Sequence, residues 1–312
     1  MTTVLIDAFR PPFMQRALVE MLILSLLAGV VGVFVLLRRL AFVADALTHT
    51  VFPGVAMAFA WQQSLFVGAL LSAILSAIAL TLVTSGRRVD HDAALVAIIA
   101  SFFAVGVIVV SRSRSYTADL TALLFGRILT VDRGEILQTA VIGVVVLGVL
   151  ILFAKELIMR AFDPSGAAAQ GYPIGRLDLM LNLAVALVVV AALQAVGTLL
   201  VITLIVTPAA IARLVTARIP VMIAVACATS AVGGWLGLAF SYDASVHRGW
   251  RVAAGPAIAV GLTLMFLVVA VGKRGLIFLR RRRTRRAGQF GPFGPFGPFE
   301  NSAASDATRA SA

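Results

Sequence analysis

Residues 93–111 and 136–154 contain no charged side chain, and the rest of the chain repeats the same pattern of long apolar runs broken by charges. An apolar run of about 18 residues or more crosses the hydrocarbon core of a bilayer as a helix. Lipid offers no partner to a backbone amide or carbonyl, so a spanning segment must satisfy its own hydrogen bonds. A β-barrel does this with short segments of alternating polarity, and no such alternation is present. Composition agrees. Charged residues make up 13% and hydrophobic residues 61%, whereas a soluble domain carries about 25% charged residues. The chain is therefore expected to be an all-α, polytopic helical membrane protein. About nine transmembrane helices (8–10) are predicted, at 15–37, 41–61, 64–85, 93–111, 136–154, 177–195, 197–216, 219–241 and 255–274.

The formal net charge is +12. The basic residues lie in short connectors and near the C-terminus, as lipid headgroups and the positive-inside rule require. This distribution excludes nucleic acid as a partner and makes membrane lipid one. Arg38–Arg39, Arg87–Arg88, Lys155 to Arg176, Arg213 to Arg218 and Lys273 onward alternate with poorly charged ends. They predict a cytoplasmic C-terminus, an external N-terminus and a multi-pass protein of the cell (plasma) membrane. Residues 112–135 fit this alternation badly, because Arg112, Arg114, Arg127 and Arg133 fall on the external side. Asp119, Asp132 and Glu135 partly offset them. Leu120 to Leu129 is apolar but too short to span, and reads as a re-entrant or interfacial piece.

Two regions are predicted: a transmembrane domain over 1–279 and a cytoplasmic tail over 280–312. The tail opens with six arginines between Arg280 and Arg286, continues with three Gly-Pro-Phe repeats from Gly291 to Phe299, and ends rich in Ser and Ala. Such a sequence supplies no packed core. No phosphate-binding G-x-x-x-x-G-K-[ST] loop is present, and no cleavable signal sequence is expected from residues 1–14. The single cysteine, Cys227, lies in an apolar run and reads as a packing residue.

Ionisable groups inside a membrane helix are costly and point to function. Asp45 and His49 stand four residues apart, which places a carboxylate and an imidazole one turn apart on one helix face. Together they offer an oxygen and a nitrogen donor to a divalent cation. The alternative at this level is that they simply pair with each other near Arg38–Arg39. Pro53 lacks an N–H and crowds the carbonyl four residues back, that of His49. Gly54 loosens the backbone further. A bend or break just beyond the Asp/His turn is expected, a feature that transporters place at substrate sites. Two donors make an incomplete metal site, and a symmetric dimer would double them. His91, in the connector Arg87 to Asp92, and His247, in the loop Tyr242 to Arg251, read as solvated loop residues.

A second motif runs from Phe162 to Gly171. Asp163 suits the N-cap of a short helix, Pro164 its first position, and Gly171 the left-handed residue after its end. Such a helix can act as a lever for a cytoplasmic partner or be an ordinary surface helix. Pro208 is expected to kink the seventh span, and Gly233 to Gly237 to form a close-packing face in the eighth.

Taken in order, these motifs resemble the permease subunits of zinc/manganese-type ABC importers. The resemblance runs from Phe13 to Leu267. It rests on Val35 to His49, Pro53 to Val55, Leu123 to Gly126, Phe162 to Pro164, Leu193 to Gly197 and Pro208 to Leu214. His91 before Asp92 departs from the pattern, where an acidic residue is usual, and the tail lies outside it. The resemblance implies a permease that is itself no enzyme, working as a homodimer or pseudo-dimer. Its partners would be cytoplasmic ATPase subunits, which bind the ATP, and an extracytoplasmic metal-binding protein. It implies no stably bound cofactor, a transported divalent metal (zinc first, manganese or iron as alternatives), Asp45 and His49 as pathway ligands, and a coupling helix over Asp163 to Gly171 including Ala167. The competing expectations are an ATPase-independent secondary metal transporter and a membrane scaffold or sensor that moves nothing.

Overall fold

The computed structural model describes residues 8–85, 91–111, 126–247, 249–250 and 252–287. Within them the chain forms α1 (Pro12–Leu37), α2 (Ala41–Thr50), α3 (Phe52–Ala60), α4 (Leu65–Ser85) and α5 (His91–Ser111). A single 3-10 turn, Ile128–Thr130, leads to α6 (Arg133–Leu152), α7 (Ala154–Phe162), α8 (Pro164–Ala169), α9 (Ile174–Val215), α10 (Ile219–His247) and α11 (Ala254–Ala287). No strand occurs among the described residues. The chain divides into a compact unit, Met1–Ala270, and a second, Val271–Ala312. The first holds the helical bundle. In the second, the helical backbone of α11 continues through the basic run to Ala287, and the Gly-Pro-Phe repeats lie outside the described residues.

Among the described residues, eight segments are long and apolar enough to cross a membrane, α2 and α3 together forming one of them. The nine predicted spans differ only at α9. Its 42 residues would extend roughly 63 Å at 1.5 Å per residue, twice the hydrocarbon thickness. Gly197 divides it: with φ 75° and ψ 167° it leaves helical geometry in a region that favours glycine. The break frees the carbonyl of Ala195, which accepts a hydrogen bond from the Arg127 N–H at 2.9 Å. Gly126, itself at φ 74°, lies so close that a Cβ on it would overlap the Val196–Gly197 backbone. Two separate sequence motifs thus meet at one crossing. Gly197 is the residue inside α9 with non-helical angles, while Pro208, where a kink was expected, keeps helical ones, as a proline at a kink also does. A proline fixes φ near the helical value, whereas Gly197 occupies a region closed to other residues.

α1 and α9 form the buried centre. Val185, Val188, Val189 and Val190 are fully enclosed, as are Met21, Leu24 and Val31. α1 packs on α9 and α10. Small residues permit that approach, since lipid supplies no hydrophobic drive between helices. A Cβ on Gly29 would lie 2.6 Å from the sulfur of Cys227, and one on Gly32 would overlap the Ile205 carbonyl oxygen. Cys227 therefore serves in packing. Gly233 and Gly237 make the expected close face, against Leu262 and Ile258 of α11.

The chain around residues 112–125 lies outside the described residues, and with it most of the segment expected to be re-entrant. Three of the four charged residues just beyond it interact locally. Arg127 pairs with Glu135 at 3.1 Å. Asp132 and Glu135 cap α6 reciprocally, each side chain accepting from the other's backbone N–H. The histidine placements differ from expectation. His247 ends α10 in an i,i+4 pair with Asp243 at 3.2 Å rather than lying in a loop. The backbone of His91 begins α5 rather than ending a connector.

Candidate functional site

α2 and α3 form one membrane segment divided at Val51. Pro53 has no N–H to offer His49, and the Gly54 N–H turns to the Val51 carbonyl at 3.1 Å. Thr50 thereby loses its helical acceptor role. The hydroxyl of Ser72, on α4, donates to that freed carbonyl at 2.6 Å. A backbone break in a buried helix is tolerable only when such groups are satisfied again. α4 comes close enough to do so because two glycines face each other. A Cβ on Gly54 would overlap the Gly68 carbonyl, and one on Gly68 would overlap the Gly54 carbonyl.

Burial along α2 sorts its polar residues. Thr48 and Thr50 are buried and spend their hydroxyls on the carbonyls of Asp45 and Leu47. Val43, Ala44, Ala46 and Leu47 are also enclosed. The outward stripe consists of Phe42, Asp45 and His49. The Asp45 side chain is 40% exposed and that of His49 49%. His49 Nε2 lies 3.7 Å from Asp45 Oδ1, beyond hydrogen-bond distance. An exposed pair of this kind contributes at most about 1 kcal/mol, so mutual pairing gives little reason for placing two ionisable groups in a membrane segment. No set of three or more His, Cys, Asp or Glu side chains is arranged for a metal ion among the described residues. One copy therefore presents two donors.

Beside the break lies an apolar cavity of about 490 Å³, lined by Pro53, Gly54, Trp61, Ser72 and Phe102 among others. It includes neither Asp45 nor His49.

α8 is short and carries defined ends. Asp163 Oδ1 accepts from the Gly166 N–H at 2.8 Å and from the Ser165 hydroxyl at 2.8 Å. Those bonds, the Gly166 one foremost, hold the Asp163 carboxyl below its ordinary range. Gly171, at φ 82°, closes the other end, where the Tyr172 N–H donates to the Ala167 carbonyl at 3.1 Å. Phe162, Asp163, Pro164, Ser165, Ala168 and Ala169 are exposed. Ala167 is fully buried and anchors the helix inward rather than presenting it.

One intramembrane ionisable residue escaped the sequence reading. Glu20 of α1 is 1% exposed; its Oε1 accepts from Thr139 of α6 at 2.8 Å, and Oε2 has no partner. A search for pairs at helical spacing passes over it, because its partner lies far away in sequence. The signal available was a lone acid in an otherwise apolar run.

The model of the ABC 3 transport family matches residues 10–273. The chain belongs to that family. This ABC 3 member is 35% identical to the "Manganese transport system membrane protein MntC" of Listeria monocytogenes, over 86% of its own length and 95% of that protein's. It is also 35% identical to the "Manganese import system permease protein ScaB" of Streptococcus gordonii, over 82% and 90% respectively. Among solved structures it is similar to the PsaBC of Streptococcus pneumoniae in complex with Fab. There the TM-score is 0.74 and the identity 32%, covering 86% of this chain and 95% of that one. The resemblance drawn from the motifs is thus borne out at the level of family and fold. The ABC 3 member is a transport permease and not a catalyst; ATP hydrolysis belongs to a separate subunit. Membership also implies a substrate-binding partner, and it displaces both the ATPase-independent carrier and the scaffold.

Proposed function

We propose that this chain is the permease subunit of an ATP-driven manganese importer. It works as a homodimer in the plasma membrane, with its C-terminus in the cytoplasm and Asp45 and His49 as the ligands of the passing ion. The observation that carries the reading is the outward stripe of α2: a carboxylate and an imidazole left half exposed, while the other polar residues of that helix, Thr48 and Thr50, are buried. Two copies facing each other offer two oxygen and two nitrogen donors. Mn²⁺ accepts such a set with added water. Zinc was the first expectation from the sequence, since four donors also suit a tetrahedral ion. The relatives named above are manganese systems, and this reverses the order. The donors alone could not decide it, because affinity follows a fixed order whatever the cargo. Reconstituted with its ATPase and its metal-binding partner, the permease should show ATP hydrolysis stimulated more by Mn²⁺ than by Zn²⁺ or Fe²⁺. Greater stimulation by Zn²⁺ overturns the choice of metal, and none by any ion overturns the importer.

Asp163 to Gly171 is the coupling helix in this reading, offered to the ATPase by its exposed face. Asp163→Ala removes the N-cap and should sharply reduce the ATPase that co-purifies. Asp163→Ser, a side chain that caps as well, should retain it. The pH dependence follows from the lowered carboxyl. A carboxyl whose folded-state value is depressed stabilises fully above its unfolded value and loses that contribution as pH falls through the folded one. The cap is therefore intact at neutral pH and fails only in acid below the ordinary Asp range. Loss of ATPase binding by the wild type between pH 8 and 6 would have to come from another group. Equal recovery of ATPase by Asp163→Ala and wild type would remove the cap from the docking surface.

A further inference from the structure

α1 passes into α2 through three residues with no slack. The Arg38 N–H donates to the Phe34 carbonyl and the Leu40 N–H to the Val35 carbonyl at 2.8 Å, while Arg39 takes a left-handed φ of 56°. Arg38 thus lies three residues before the helix that bears Asp45 and His49, in a turn fixed by backbone hydrogen bonds. Arg38 is also held from its other end. Its Nη2 donates to Asp178 Oδ1 at 2.6 Å, and Arg160 Nη2 donates to Asp178 Oδ2 at 3.0 Å. The side chains of Arg38, Arg160 and Asp178 are 11%, 18% and 26% exposed. Arg160 lies in α7, one turn ahead of Asp163. Asp178 lies near the start of α9, just beyond Gly171. One carboxylate therefore grips the approach to α8, its exit, and the turn into α2.

The two gripped arginines each keep a buried nitrogen without a hydrogen bond, Arg38 Nη1 and Arg160 Nε, and Glu156 of α7 keeps a buried oxygen, Oε2, in the same condition. Glu156 stands four residues before Arg160 on α7, the spacing at which helix charges come within reach. Separating a partly buried ion pair is expensive when a charge is left alone. Exchange of one carboxylate for another keeps the cation paired in both arrangements.

We propose that Asp178 is a positioning residue that clasps the α8 segment to the α1–α2 turn, and that Arg160 passes from Asp178 to Glu156 as the transporter changes state. Force applied to α8 by a partner then reaches α2 through two arginines and one carboxylate. The inference rests on reading α8 as the ATPase-docking helix.

The test uses the complete complex in vesicles and reads Mn²⁺ taken up per ATP hydrolysed. Asp178→Asn should assemble with the ATPase yet lower that ratio by about tenfold, within the usual span of coupling between sites. Asp178→Glu should restore most of it. Glu156→Gln should slow uptake and stimulated hydrolysis together, because the second pairing is missing. If Asp178→Asn does not accumulate, Arg160→Gln removes one arm and is read in the same way. An assembled Asp178→Asn complex with the wild-type ratio overturns the clasp, as does a smaller yield of complex at an unchanged ratio, which marks a merely structural role. Wild-type rates in Glu156→Gln overturn the exchange. Failure of the wild-type permease to hold an ATPase overturns the docking reading and the clasp with it; an intact complex with unchanged coupling overturns the clasp alone.

Discussion

If Asp45 and His49 hold the passing ion as proposed, Asp45→Asn and His49→Gln should each abolish manganese uptake while leaving the protein folded and assembled. The size of the effect follows from what the two residues touch. Even the groups that merely orient a metal's ligands cost about 10–100-fold when removed, so loss of a direct ligand should exceed that. The fold, by contrast, spends little on them. Both side chains are about half exposed, and their mutual contact of 3.7 Å is too long for a hydrogen bond. Substitutions at such positions change stability by roughly 0.5 kcal/mol or less. Uptake of Mn²⁺ into vesicles, measured beside the yield and melting of the purified complex, separates the two quantities. Uptake at the wild-type rate by the double variant would remove both residues from the pathway. A parallel fall in yield and uptake would make them structural.

Gly54→Val should be among the most damaging substitutions in the bundle. The new side chain would meet the Gly68 carbonyl and the Cβ of Ser72 on the facing helix. Backbone cannot step aside as a flexible side chain does, so the cost should lie at or above the upper end of the ~1–3 kcal/mol typical of overpacking. The displaced α4 would also withdraw the Ser72 hydroxyl from the Thr50 carbonyl, leaving a buried acceptor unpaired at a further cost of about 1–3 kcal/mol. Gly148→Ala is the matching control. It sits in α6 with open space around its Cβ position. An alanine there should be neutral or stabilising by up to about 1 kcal/mol. Thermal unfolding in detergent reads both. A Gly54→Val protein that melts with the wild type would show that α3 and α4 do not cross so closely.

Much of this was legible in the chain because a membrane simplifies the code. Spans declare themselves by hydrophobic length, and the boundary between the predicted sixth and seventh spans fell at Gly197, the residue that breaks α9. The short capped helix could be read because Asp163, Pro164 and Gly171 each answer a local backbone need. Pro208 stays within helical angles because its fixed φ suits a helix, so its own dihedrals do not mark the division of α9. His247 was assigned to a loop because the apolar run ends before it. The helix α10 nevertheless continues to His247, whose Nδ1 lies 3.2 Å from Asp243 one turn back.

The sequence by itself determined the environment, the helical membrane-spanning architecture, the Asp45/His49 turn and the family, since each depends on local composition or on motif order. Only the tertiary structure decided which polar groups remain available. Along α2 the residue types alone do not separate Thr48 and Thr50, whose hydroxyls are spent inside the bundle, from Asp45 and His49, which face outward. The same holds for Glu20 against Thr139, Ser72 against Thr50, and Arg38 and Arg160 on Asp178. These partners lie up to 140 residues apart, and only close packing brings them together. Buried polar groups must find partners wherever the fold supplies them. The choice of partner is therefore a property of the assembled bundle rather than of any stretch of sequence.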